Sequence, residues 1–196
     1  SSPSLMSLIQ LMRKTLQLAL GIEDLANAHM LVSHSILKEK AVEANIAFSN
    51  NSAVPTIIQK IVLELGMNID DVLWEWPGFR MFFPEGYESQ GAYRNGTTGL
   101  LSPHRDTWYG SPQHQINFWG PIEPISDDKT LRILSEFHQK RVQNSSGGRD
   151  CWAHNLGLAL PPSLLEDIDA KNYLAPPLNV GDVMLFSGHS LHSSAP

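Results

Sequence analysis

The apolar pattern changes period near Trp74, and that switch confines the chain to folds that join a helical segment to a strand-rich one. Within residues 4–46 apolar side chains recur at helical spacing, among them Leu5, Leu8, Ile9, Met12, Leu16 and Leu20. This predicts a first helix stopped by Gly21 and a second over residues 22–40. A third helix is expected from near Pro55, where proline is tolerated in the first turn, to Gly66, with Ile57, Ile58, Ile61, Val62 and Leu65 as its buried stripe. Beyond Trp74 glycine, proline and aromatic residues become frequent. Short strand-like runs then appear at residues 78–83, 100–104, 113–119, 130–134 and 182–186. Residues 163–171 read as a short helix, and 91–98 and 144–148 as loops. The expectation is a mainly β, α+β chain in a single domain, 1–196. Residues 1–70 would form a helical buttress and 72–196 a barrel or sandwich core.

Composition removes several classes of function. With 42% apolar and 17% charged residues, the 196-residue chain has enough apolar surface for one core and is not of disordered type. A net charge of −6 with scattered basic residues offers no phosphate-binding stripe, so nucleic acid is not an expected partner. Cys151 is the single cysteine, which excludes an intramolecular disulfide and fits a reducing, cytoplasmic setting. Arg149 and His154 lie near it, but no nucleophile motif surrounds it, and it reads as a structural thiol. No run reaches the roughly 18 apolar residues of a membrane span. The apolar opening carries Arg13 and Lys14 in its middle, unlike a signal peptide, so it reads as a helix of the mature protein. A start at Ser1 suggests a processing boundary.

The segment Ser102-Pro103-His104-Arg105-Asp106-Thr107-Trp108-Tyr109 carries the most chemistry. In an extended chain, residues two apart share a face, so His104 and Asp106 project together and Arg105 points the other way. An imidazole beside a carboxylate supplies two metal ligands, and one more imidazole from a neighbouring strand makes a two-histidine, one-carboxylate triad with positions left open. His-x-Asp alone is weak, because chance predicts about 0.4 occurrences in a chain of this composition. A solvent-facing hydrogen-bonded pair is the bland reading. The C-terminal phrase GDVMLFSGHSLHSSAP adds weight: a Gly-Asp turn launches an apolar strand, and His189 and His192 follow it. Spacing alone does not choose between these two histidines.

Taken with QINFWGPI and TLRILSEFH, the phrases HRDTWY and GDVMLFSGHSLHSSAP resemble the iron(II)- and 2-oxoglutarate-dependent dioxygenases, in their phytanoyl-CoA-dioxygenase-like branch. The likeness spans roughly residues 79–196. It implies a double-stranded β-helix, the cupin-like jelly roll. It also implies His104, Asp106 and His192 as metal-binding and catalytic residues, with His189 in a supporting or gating place. The implied reaction oxidises an unactivated C–H bond of a small molecule by hydroxylation, desaturation or cyclisation. Fe(II), dioxygen and 2-oxoglutarate are consumed or required, and succinate and carbon dioxide are released. Retention of Asp106 favours hydroxylation over halogenation, and the branch points to secondary or lipid-like metabolites.

The resemblance also implies an arginine for the far carboxylate of 2-oxoglutarate, on a strand that would lie past Pro196. Arg80, Arg94 and Arg132 are substitutes by residue type only. Gln115, Asn117 and Trp119 share one face of the strand that His114, Ile116 and Phe118 oppose, and as inward polar groups they are candidates for binding the co-substrate. Cross-strand hydrogen bonding is an equal alternative. Trp108 and Tyr109 either wall a pocket or pack as core, and His138 reads as a loop or surface residue. Two other functions use the same residues: a zinc or manganese metalloenzyme on a similar barrel, and a non-catalytic cupin-like binding module.

Overall fold

The computed structural model describes residues 2–81, 103–126, 129–145, 162, 164–168 and 173–194. The chain divides into two compact units. The first comprises residues 1–99, 121–124 and 179–182, and the second residues 100–120, 125–178 and 183–196. Among the described residues the secondary structure is helices plus two small antiparallel sheets, an α+β content in which no sheet closes into a barrel.

The first unit is helical. Helix α1 (Pro3–Leu20) begins at Ser2, whose hydroxyl oxygen accepts the Leu5 N–H at 3.0 Å. It ends at Gly21, at φ +68°, a backbone region that costs glycine little. Both ends therefore follow the sequence. The expected helix over 22–40 is instead broken. Asp24 accepts hydrogen bonds from the backbone and the side-chain amide of Asn27. That local turn competes with helix formation, and only the single turn α2 (Ala28–Leu31) follows it. Val32 and Ser33 are extended, and α3 starts anew as His34–Ser49.

Helix α4 (Ala53–Glu64) matches the third predicted helix, with Leu65 as its cap and Gly66 beyond, in positive φ. Its buried residues are Val54 and Val62, while Ile57, Ile58 and Ile61 are partly buried; Leu65, expected in the stripe, is exposed. The Ser2 and Ser4 hydroxyls at the start of α1 both donate to the Glu64 carboxylate at the end of α4. Leu8, Met12 and Leu16 of α1, Ala44 and Phe48 of α3, Val54 of α4 and Phe79 form the core of this unit. The Phe48 and Phe79 rings meet edge to face at 6.0 Å. Asn45 clamps the Phe79 backbone, donating from Nδ2 to its carbonyl at 2.7 Å and accepting its N–H on Oδ1 at 2.9 Å.

In the second unit β1 (Ile116–Trp119) pairs antiparallel with β3 (Met184–Ser187), placing Asn117 opposite Phe186 and Phe118 opposite Leu185. Strand β2 (Leu131–Leu134) pairs antiparallel with β4 (Leu191–Ser194), placing Ile133 opposite His192 and Arg132 opposite Ser193. Three of the predicted strands are thus present in shortened form, and β4 is an addition to them. Of the run at 78–83, residues 78–81 hold only a single bridge position, at Met81. Residues 164–168, within the segment expected to be helical, are not helical; Leu164 bridges to Asn144. The loop at 91–98, most of the run at 100–104, the larger part of 144–148, and Arg94 and Cys151 lie outside the described residues.

Candidate metal centre

His104 sits where the chain runs extended into Arg105, at φ −117° and ψ 137°, so His104 and Asp106 fall on one side as the alternation predicts. The chain then turns: Asp106–Tyr109 is a 3-10 turn, closed by Gly110 at φ +94°. Three backbone hydrogen bonds fix where this segment lies. The His104 N–H donates to the His192 carbonyl and the His192 N–H to the His104 carbonyl, each at 2.9 Å. The Asp106 N–H donates to the Gly188 carbonyl, also at 2.9 Å. Strand β4 thus holds His104, and the loop before it holds Asp106, by their backbones.

The side chains converge. Nε2 of His104 and Nε2 of His192 each lie 3.5 Å from Asp106 Oδ1, and the two imidazole rings are 4.4 Å apart between centroids. Both histidines are buried and Asp106 is half-buried. Metal–ligand bonds of about 2.0–2.2 Å let one ion span donor atoms up to roughly 4 Å apart, so these separations suit a shared cation. The tautomer of His192 suits it as well. Its Nδ1 lies 2.9 Å from the Ser190 carbonyl, which can only accept, so Nδ1 carries a proton and the ring presents Nε2 toward Asp106. The donor set of two imidazoles and one carboxylate can thus hold a metal ion.

Asp106 is biased toward its charged form. Burial works against ionisation, but the His104 hydrogen bond, the nearby His192 and the Asn117 amide outweigh it and hold the carboxyl below its ordinary range. Asn117 Nδ2 donates to Asp106 Oδ2, and Asn117 Oδ1 accepts from Gln115 Nε2 at 2.8 Å. The shared face expected of β1 is present: Asn117 and Trp119 are half-buried, whereas Ile116 and Phe118 are exposed. No family model, curated protein or solved structure matches the chain.

The two C-terminal histidines have separate places. His192 is in the triad, and His189 accepts a hydrogen bond on Nε2 from Arg105 Nη1 at 3.1 Å. Its Nδ1 is buried without a hydrogen-bond partner. Burial, then Arg105, then His138 hold its pKa below the ordinary 6.5, so it is a neutral imidazole. Arg105 is buried at 5% exposure and points away from the triad, as expected, where Nη2 donates to the carbonyls of Phe137 and Lys140.

His138 lies in a loop, as one of its two readings has it, but is half-buried: its Nδ1 is 3.2 Å from the Ser190 hydroxyl, and its ring meets that of His189 edge to face. Tyr109 lies against His104 with ring centroids 5.2 Å apart. Phe186, not singled out by the sequence, packs edge to face on His192 at 4.9 Å. Arg132 pairs with Ser193, the neighbour of His192, and so occupies the opposite face of its sheet, over the Tyr173 ring. It does not face the triad. Arg80 belongs to the first unit.

Proposed function

We propose that this protein is a non-haem Fe(II)- and 2-oxoglutarate-dependent oxygenase that oxidises a C–H bond of a small organic molecule and releases succinate and carbon dioxide. The observation that carries the reading is the convergence of His104, Asp106 and His192, three ligands of the types and number that leave positions open on a ferrous ion. When bound, iron with 2-oxoglutarate and dioxygen supplies the oxidising power that removes hydrogen from carbon.

The protein's own share is positional. The His192 Nδ1 proton is held on the Ser190 carbonyl, which turns Nε2 toward Asp106, and Asp106 is kept ionised by the groups around it. Tyr109 and Phe186 give the imidazoles aromatic walls that exclude water from their flanks. A jelly-roll core accords with β4 being flanked by β2 on one side and by the His104 bridge on the other. The small-molecule substrate is of the secondary or lipid-like kind suggested by the phytanoyl-CoA-dioxygenase-like phrases.

The reading is tested by incubating the chain with Fe(II), 2-oxoglutarate and air, and measuring succinate. Succinate formed by the native protein and lost in Asp106→Ala supports it. Equal succinate in both proteins, or none in either, counts against it.

A further inference from the structure

We infer that Asn117 is a positioning residue that fixes Asp106 as a one-oxygen ligand, and that Gln115 fixes the orientation of the Asn117 amide. This rests on His104, Asp106 and His192 being metal ligands. A free carboxylate can bind a cation through one oxygen or both. Here the two oxygens have different partners. Oδ1 is the atom 3.5 Å from both histidine Nε2 atoms, and Oδ2 receives the Asn117 Nδ2 hydrogen bond.

The amide must point this way round, because an ionised carboxylate only accepts and the amide oxygen would repel it. Gln115 removes the other orientation by donating to Asn117 Oδ1 at 2.8 Å. Both residues are anchored by backbone bonds. Gln115 N–H donates to Pro112 O at 3.1 Å, its carbonyl accepts from Gly188 N–H at 3.0 Å, and Asn117 sits in the β1–β3 ladder opposite Phe186. The carbonyl of that glycine accepts the Asp106 N–H, so the loop that fixes Asp106 also fixes the first member of the amide relay.

With Oδ2 occupied, Asp106 fills one coordination position, and an octahedral ion keeps the remaining three beyond the histidines for exogenous ligands. Asn117 therefore acts through Asp106. It does so without touching the metal, and its amide oxygen and one N–H are already engaged.

Cobalt(II) is the probe, added to the whole chain and followed by its visible absorption. Asn117→Ala should weaken Co(II) about 10–100-fold and change the absorption pattern, as loss of a carboxylate's outer partner does. Asn117→Asp, the same shape with a carboxylate facing a carboxylate, should weaken it at least as much and serves if the alanine variant does not fold. Gln115→Met should give a smaller loss in the same direction. In an Asp106→Ala background, Asn117→Ala should change residual affinity by no more than about twofold. Unchanged affinity and spectrum in both Asn117 variants would overturn the inference while leaving the metal site standing. So would an equal loss in the Asp106→Ala background. Absence of Co(II) binding by the native chain would instead overturn the metal site, and the inference with it.

Discussion

His104 and His192 exchange both of their backbone hydrogen bonds, each N–H donating to the other's carbonyl at 2.9 Å. Directly opposed residues of an antiparallel pair project to the same face, so this one bridge brings two imidazoles from distant parts of the chain within 4.4 Å. The pairing also decides between the C-terminal histidines. His189 precedes β4, in the loop after β3, and faces Arg105. His192→Ala should therefore weaken Fe(II) or Co(II) by more than about 100-fold, a loss larger than that of an outer partner. His189→Ala should keep the metal. Equilibrium titration checks this, and the reverse pattern would exchange the two roles.

Acidification should destabilise the metal-free protein through His189. Its folded pKa lies below the ordinary 6.5, because burial, Arg105 and His138 all oppose a proton. The unfolded chain takes up that proton first. The contribution of His189 to stability is thus fully present above 6.5 and is lost as the pH falls from there toward the depressed folded value. His189→Asn cannot titrate, so in urea unfolding with chelator present its stability should fall less between neutral and mildly acidic pH. Parallel pH profiles for the two proteins would refute the assignment.

Arg105 should be intolerant of lysine. Its planar fork serves two backbone carbonyls and His189 at once from a buried position, which a single ammonium cannot do. Arg105→Lys is expected to cost about 3 kcal/mol, the scale of losing one or two charged hydrogen bonds in a buried place. Denaturant unfolding measures it. A change within about 0.5 kcal/mol, the usual range for surface substitutions, would mean that the network is not structural.

The first unit should respond to its own core. Phe48 is fully buried and its ring meets Phe79, so Phe48→Ala should cost about 3–5 kcal/mol by cavity formation. Asn45→Ala should cost about 1–3 kcal/mol, because it leaves the N–H and C=O of Phe79 without their partner. Thermal melting tests both, and native-like melting of Phe48→Ala would contradict the core described for this unit.

The features legible in the sequence were those set by local rules. Alternation placed His104 with Asp106 and turned Arg105 away, and Gly21 marked the end of α1. Apolar spacing does not register the Asp24–Asn27 turn, whose side-chain hydrogen bonds compete with helical ones, so the helix expected over 22–40 differs from the α2 and α3 observed. Residues whose role depends on pairing between distant strands were harder to see. Phe186 and His138 lie inside the phrases GDVMLFSGHSLHSSAP and TLRILSEFH, but their contacts with His192 and Ser190 follow from the strand register and the loop at 188–190. Asn117 was visible as an inward polar group, but its partner, Asp106, was not.

The central claim is that His104, Asp106 and His192 hold one ferrous ion and leave room for 2-oxoglutarate. The most direct measurement is an anaerobic titration of the Fe(II)-loaded chain with 2-oxoglutarate, followed in the visible range. The account predicts a weak metal-to-ligand charge-transfer band that saturates at one equivalent of 2-oxoglutarate per iron and vanishes in His104→Ala, Asp106→Ala and His192→Ala. A chain that binds no Fe(II), or one whose band persists unchanged in those three variants, would contradict it.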